Sequence, residues 1–152
     1  MKEYDYCERL ELLKITSAER RRERYIIIYM FKILKQIVPN PGISWTENER
    51  TGIKAKLPVR NNKAPTYVKN LRESYFTMTG PKLFNSMPIE VRNFESEGQN
   101  KVLAFKNNLD KYLSLIPDQP HIQGVRRAAA SNSITDQIFY KRTSNLSWSF
   151  CS

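Results

Sequence analysis

Polar and apolar positions in the first part of the chain follow the period of an α-helix. Residues 16–36 read TSAERRRERYIIIYMFKILKQ, a block of arginines that runs into a block of large apolar side chains. At about 100° per residue, one half of this helix is apolar, and we expect that half to be buried. Its members are Ile26, Ile27, Tyr29, Met30, Ile33, Leu34 and Ile37. Thr16 and Glu19 have the spacing of a capping box at its start, and Pro39 is expected to stop it.

The other side of the same helix is basic, with Ile28 and Phe31 as apolar interruptions. Its cations are Arg20, Arg21, Arg24, Lys32 and Lys35. Two interpretations stay open. Either this side contacts an anion, or it is a solvated face on which Glu19 and Glu23 pair with neighbouring arginines at helical spacing.

A short helix is predicted before the long one, and β-structure after it. Residues 4–14 carry apolar side chains at helical spacing and are expected to pair with the long helix. Residues 39–52 are dominated by turn-forming and polar residues, which indicates a linker loop. Residues 53–59 alternate apolar and basic side chains, as in a half-buried strand. A second β-prone run at residues 74–79 is its expected partner, so a two-stranded sheet with a basic connection is predicted.

The C-terminal half predicts helices and then a tail. Pro81 is expected to open a short helix, and Asn100 to cap a longer one over residues 101–115. Beyond residue 117 no periodicity remains, so a mostly disordered tail is predicted, with a brief helix at residues 134–139 as its one ordered part.

Together these elements predict a mostly α fold with a small two-stranded β element, in the α+β class. An N-terminal helix pair is assigned to residues 1–38 and a linker loop to residues 39–52. A basic α+β part follows at residues 53–117. The mostly disordered tail takes residues 118–152.

The net charge of the chain indicates more about its partners than its length does. A chain of 152 residues is long enough for one hydrophobic core, and its formal net charge is +10 with a pI near 9.7. Residues 50–82 contain eight basic residues and one acid, Glu73, which is a net +7. Too few acids are present there to neutralise the cations internally. We therefore expect an anionic partner, and backbone contact with nucleic acid is the favoured one.

The sequence gives no support for a membrane-spanning, secreted, metal-binding or cofactor-dependent function. The longest apolar run, Tyr25–Phe31, is far shorter than the ~20 residues that cross a bilayer, and no signal peptide is visible. An intracellular setting, nuclear or cytoplasmic, and no membrane partner are therefore expected. Cys7 and Cys151 are isolated, and the single histidine, His121, has no nucleophile near it in sequence. No cofactor, no metal and no small-molecule substrate are expected.

Five short motifs, taken in order, resemble the C-terminal region of non-LTR (LINE-type) retrotransposon reverse transcriptases. They are YCERL at 6–10, SAERRRERY at 17–25, FKIL at 31–34, GPKLFNSMP at 80–88 with Arg92 and Asn93 behind it, and FKNNLD at 105–110. The likeness spans roughly residues 4–120, in the family's order and with similar spacing. The tail is not covered.

The resemblance implies a thumb-like helix pair that follows the catalytic palm and holds template and primer behind it. Its implied partners are RNA or an RNA–DNA hybrid and the palm domain of the parent polymerase. No Tyr/Phe-x-Asp-Asp motif is present, and no two of the four Asp residues are adjacent. Because two-metal phosphoryl transfer needs clustered carboxylates, we expect no enzyme activity. The resemblance implies a fragment or decayed copy of the reading frame, with Met1 an internal methionine.

The predicted nucleic-acid contacts come from the basic helix and from the segment at residues 50–72. They are Arg20, Arg21, Arg24, Lys32, Lys35, Arg50, Lys54, Lys56, Arg60, Lys63, Lys69 and Arg72. Tyr67, Tyr75 and Phe76 either stack on bases or belong to the core. The alternative function is a structural or protein-interaction fragment without nucleic-acid binding, whose exposed Ile28 and Phe31 packed on the missing palm.

Overall fold

The computed structural model describes residues 4, 6–59, 62–98, 100–118 and 132–138. Its elements are α1 (Tyr6–Leu13), α2 (Ala18–Leu34), β1 (Trp45–Asn48), β2 (Gly52–Ala55), α3 (Thr66–Ser74), α4 (Phe76–Ser86), α5 (Ile89–Arg92) and α6 (Lys101–Leu113). Residues 134–138 are also helical. The strands form one two-stranded antiparallel sheet. The predicted class, mostly α with a small β element, is confirmed.

The chain divides into two compact units. Residues 1–24 and 113–152 contribute to the first, called the terminal unit here, and residues 25–112 form the second, called the central unit. The boundary falls inside α2, after Arg24. The described residues 113–118 and 132–138 thus group with residues 6–24, which no local sequence pattern indicated.

In the terminal unit, Leu10, Leu113, Ile116 and Ile134 are buried. Residues 132–138 are thus an ordered part of the predicted tail. Residues 119–131 and 139–152, which include His121 and Cys151, lie outside the described residues. The brief helix predicted at residues 134–139 is confirmed over residues 134–138, and Ile134 at its start is fully buried.

The ends of α2 differ in detail from the predicted ones. Ser17, not Thr16, caps the helix, since its Oγ accepts the Arg20 N–H at 3.2 Å. The helix ends at Leu34, before Pro39, in a Schellman turn that the Ile37 N–H closes on the Lys32 carbonyl at 2.8 Å. The turn places Gln36 at a φ of 57°.

The buried face of α2 in the central unit is rotated from the predicted one. Ile28 and Phe31 are 3% and 1% exposed, whereas Tyr29 and Ile37 are 42% and 51% exposed. The reason is the partner: Phe31 stacks on Phe105 of α6, with ring centroids 3.9 Å apart. The prediction of an exposed Ile28 and Phe31 is therefore wrong.

Close contact between α2 and α4 accounts for the burial of Met30. A Cβ added to Gly80 of α4 would lie 2.7 Å from Sδ of Met30, which is fully buried in α2. Glycine at this position lets α4 approach α2 at a distance that a larger residue would prevent.

The predicted sheet exists, but one of its strands was misplaced. Trp45 pairs with Ala55 and Glu47 with Ile53, so β1 lies inside the predicted linker loop. Residues 74–79 form no strand: α3 ends and α4 begins on either side of Tyr75, which alone is extended (φ −70°, ψ 147°). Pro81 lies inside α4 instead of opening a helix. Burial at Met78, Gly80, Pro81, Leu83 and Phe84 outweighs local β propensity.

Candidate nucleic-acid interface

The β-hairpin of the central unit packs through one face, and its cations lie on the other face, in the turn and just after β2. Trp45 packs edge-on against Phe84, with ring centroids 5.5 Å apart, and its cross-strand partner Ala55 is 4% exposed. Thr46 and Lys54 are paired on the opposite face, because successive residues of a strand point to opposite sides. Lys54 is half-buried, while Arg50 in the turn and Lys56 after β2 are exposed.

Side chains from the α4–α5 region close the outer edge of β2. The Asn85 amide donates to the Ala55 carbonyl at 2.8 Å and accepts the Ala55 N–H at 2.9 Å. The Ile53 N–H donates to Oδ1 of Asn93 at 2.8 Å. Together with the partners of Arg92, these side chains take the place of a third strand and hold the hairpin in one orientation.

Arg92 joins this edge to the chain between α4 and α5. Its guanidinium donates to the carbonyls of Thr51, Ile53 and Met87 at 2.9, 2.5 and 2.8 Å. The side chain is only 5% exposed, and burial lowers the pKa of Arg92, while the charge of Glu90 opposes that shift. The sequence alone indicated Arg92 only as part of a motif and gave it no structural role.

Gly52 is part of the same arrangement. Its φ is +67°, a value that favours glycine, and an added Cβ would lie 2.6 Å from Oδ1 of Asn93. The hairpin turn and the Asn93 contact therefore both require the absence of a side chain at this position.

The predicted cations of α3 contact the loop before it. Lys69 donates from Nζ to the Asn62 carbonyl at 2.8 Å, and Arg72 donates from Nη2 to the Val59 carbonyl at 2.8 Å. Lys69 is exposed and Arg72 half-buried, as is usual for cations that keep their charge at the surface. Lys63 is exposed, and Arg60 lies outside the described residues.

The single acid of the basic segment is already engaged. The carboxylate of Glu73 lies 3.5 Å from Nζ of Lys82, and both side chains are at the surface. One carboxylate cannot neutralise the eight cations of residues 50–82, but the hairpin also carries exposed Glu47 and Glu49, so residues 45–56 alone have a net charge of +1.

The predicted cations of α2 and of the turn after it differ in exposure and in their partners. Arg21 is exposed, Arg24 and Lys32 are half-buried, and Nζ of Lys35 lies 3.4 Å from Oε1 of Glu95. Arg20 is 3% exposed and donates to the carbonyls of Pro117 and Ile116 at 2.6 and 3.5 Å. The prediction that Arg20 contacts nucleic acid is wrong, because its guanidinium is used inside the terminal unit.

Two carboxylates, the half-buried Asp118 and the buried Glu23, complete the polar core of the terminal unit. Asp118 accepts the Ser17 N–H and hydroxyl at 2.7 Å each, and the Asn132 amide at 2.6 Å. Glu23 accepts the Ile134 N–H at 2.7 Å and the Ser133 hydroxyl at 2.5 Å. Glu23 therefore caps the 134–138 helix.

The pKa values of the two carboxylates shift in opposite directions. Burial raises the pKa of Asp118, but the bonds from Ser17 and Asn132 and the nearby Arg20 outweigh it, so its pKa is lowered. Burial raises the pKa of Glu23, and the bonds from Ser133 and Ile134 offset that shift only in part. Asp118 therefore stabilises the fold at pH values above the ordinary pKa of aspartate. The contribution of Glu23 to stability is complete only at pH values below the ordinary pKa of glutamate.

Asp118→Asn is expected to lower the free energy of unfolding by about 1–3 kcal/mol at neutral pH, because the charge-assisted bonds to Ser17 are lost. The difference should shrink as the pH falls below 3.8 and through the lowered folded-state pKa. Glu23→Gln should show the opposite trend, gaining stability relative to the wild type as the pH rises above 4.5. Urea unfolding at several pH values measures both, with exposed Glu97→Gln as control. An Asp118→Asn effect that is independent of pH would contradict this assignment.

Three further findings concern metal binding, membrane-spanning helices and similarity to known proteins. Among the described residues, no group of three or more His, Cys, Asp or Glu side chains is placed to hold a metal ion. No helix in the part that the structure describes is long and apolar enough to span a bilayer. No protein-family model, curated protein or solved structure matches the chain. The resemblance to reverse transcriptases stays a prediction.

Proposed function

We propose that this chain is a non-catalytic nucleic-acid-binding region, related to the C-terminal region of a LINE-type reverse transcriptase, that contacts the backbone of RNA or an RNA–DNA hybrid. The observation that carries the proposal is the basic segment of residues 50–82, with eight cations and one acid. Arg50 and Lys56 are exposed on a hairpin that Arg92, Asn85 and Asn93 hold in place.

Electrostatics indicate what kind of binding to expect. Lysine and arginine side chains that meet phosphates release condensed counterions, so the affinity falls steeply with salt and depends little on sequence. A hairpin held by its neighbours loses little conformational freedom when it binds, which favours affinity from a small number of contacts. Arg20 takes no part in this binding surface.

Charge reversal at Lys54→Glu with Lys56→Glu is expected to raise the dissociation constant about tenfold or more at low salt, because two phosphate contacts become repulsive. Fluorescence anisotropy of a labelled RNA–DNA hybrid measures the effect. Lys101→Glu with Lys106→Glu on α6 changes the net charge equally and serves as the matched control. Equal losses in both double variants would mean that only the overall charge matters, which contradicts a site on the hairpin.

A protein-interaction role keeps one specific observation in its favour. Leu12, Leu13 and Leu115 of the terminal unit are 63%, 66% and 64% exposed. Leu12 and Leu13 are adjacent in α1, and exposed apolar side chains that form one continuous patch are typical of protein contact surfaces. If the wild-type chain binds no hybrid at low salt, this second function is the one that the structure supports.

A further inference from the structure

Helix α3 is unusual in contributing no buried side chain to the core. Tyr67 and Leu71 are 73% and 55% exposed and lie one turn apart on the same side of the helix. Tyr75, the residue that follows α3, is 52% exposed. Phe76, in contrast, packs edge-on against Tyr29, with ring centroids 5.3 Å apart. Of the three aromatic residues of this stretch, two therefore face solvent.

The other side of α3 is turned toward the unit itself. Val68 and Arg72 line a cavity of about 130 Å³ together with Met78, which is 3% exposed. The contacts of Lys69 and Arg72 with the preceding loop fix the helix at two further points. The orientation of Tyr67 and Leu71 away from the unit is thus set by packing and hydrogen bonds.

We infer that α3 is a stacking platform for single-stranded nucleic acid, with bases on Tyr67 and Tyr75 and phosphates on cations of the basic segment that carries the helix. The inference rests on the proposed function and adds the strand state of the ligand. Base–aromatic stacking tolerates any sequence, because every base has a π-face, and a basic surface beside exposed rings is typical of single-strand binding. In a duplex the base faces are already stacked and cannot meet these rings.

Spacing and charge both favour this occupant. Tyr67 and Tyr75 are separated by about 12 Å along the helix, far more than the ~3.4 Å between stacked bases, so the two rings would take bases that are splayed apart and not neighbours in one stack. An acidic or neutral protein partner would also meet the apolar stripe. However, the segment around α3 has only Glu73 as an acid, and Lys82 lies 3.5 Å from it, so a polyanion is the better complement.

The test compares a labelled single strand of about 12 nucleotides with a duplex of the same sequence, by anisotropy on the full chain. The wild type should bind the single strand more tightly. Tyr67→Ala with Tyr75→Ala should weaken single-strand binding about thirtyfold or more, because two stacking contacts are lost, and leave duplex binding nearly unchanged. Tyr67→Phe with Tyr75→Phe should restore it, since the rings are kept. Tyr25→Ala, at a residue that is 64% exposed on α2, is the matched control.

Three results would overturn the inference. The first is equal affinity of the wild type for both ligands, and the second is an alanine pair that binds the single strand as the wild type does. The third is full restoration by leucine at both positions, which would indicate apolar contact without stacking. In each case a loss of binding on Lys54→Glu with Lys56→Glu would leave the proposed function intact. A wild type that binds neither ligand would remove both proposals.

Discussion

Phe31→Ala is expected to lower the free energy of unfolding by about 3–5 kcal/mol, because it removes a large buried ring and leaves a cavity. Phe31 is 1% exposed and its ring stacks on that of Phe105, with 3.9 Å between centroids and 4° between planes. Urea unfolding followed by circular dichroism measures the change. The expected loss is a large fraction of the total stability of a domain of this size.

The matched control for this substitution is Leu103→Ala, also in the central unit. Leu103 is 54% exposed on α6, so its truncation should change stability by no more than about 0.5 kcal/mol. If Phe31 instead belonged to an exposed patch, as the alternative function required, both variants would unfold at similar urea concentrations. That result would contradict the described core.

Arg92→Met is expected to cost about 3 kcal/mol or more, even though methionine fills much of the same volume. Three backbone carbonyls, of Thr51, Ile53 and Met87, lose their donor and remain in a partly buried environment. Arg92→Lys should recover only part of the loss, because a single ammonium cannot reach three acceptors that a planar guanidinium spans. Urea unfolding of each variant provides the comparison.

Exposed Arg50→Met is the control, since it removes a cation of the hairpin without removing its support. It should leave stability nearly unchanged and weaken nucleic-acid binding modestly. Arg92→Met should weaken both, because the hairpin loses its fixed orientation. If Arg92→Met were as stable as the wild type, the closed edge of β2 would have no energetic importance.

The parts of the fold that were predictable depend on local patterns. The long basic and apolar helix and the helix at Lys101–Leu113 have strong helical periodicity over three or more turns, and both exist. β1 was missed because Trp45–Asn48 is short and mostly polar, with three of its four residues exposed. Its existence depends on pairing with β2 and on the contact between Trp45 and Phe84, which no local pattern indicates.

The charge of the site was predictable from the sequence, whereas the spatial arrangement of its residues was not. The excess of cations in residues 50–72 can be counted directly, but the burial of Arg20 depends on carbonyls that lie 96 and 97 residues away. The edge pairing of β2 likewise joins residues 30 to 41 positions apart. One signal was available: Asn85, Arg92 and Asn93 are polar residues within a largely apolar stretch. Such residues are often hydrogen-bonded to buried backbone.

The salt dependence of binding decides whether cations of the β-hairpin meet nucleic-acid phosphates. The logarithm of the dissociation constant for a labelled RNA–DNA hybrid is plotted against the logarithm of the salt concentration. For three to five phosphate contacts the slope should be roughly 2–4, and Lys54→Gln with Lys56→Gln should lower it by about 2. A slope near zero, or one that the double variant shares with the wild type, would contradict the account.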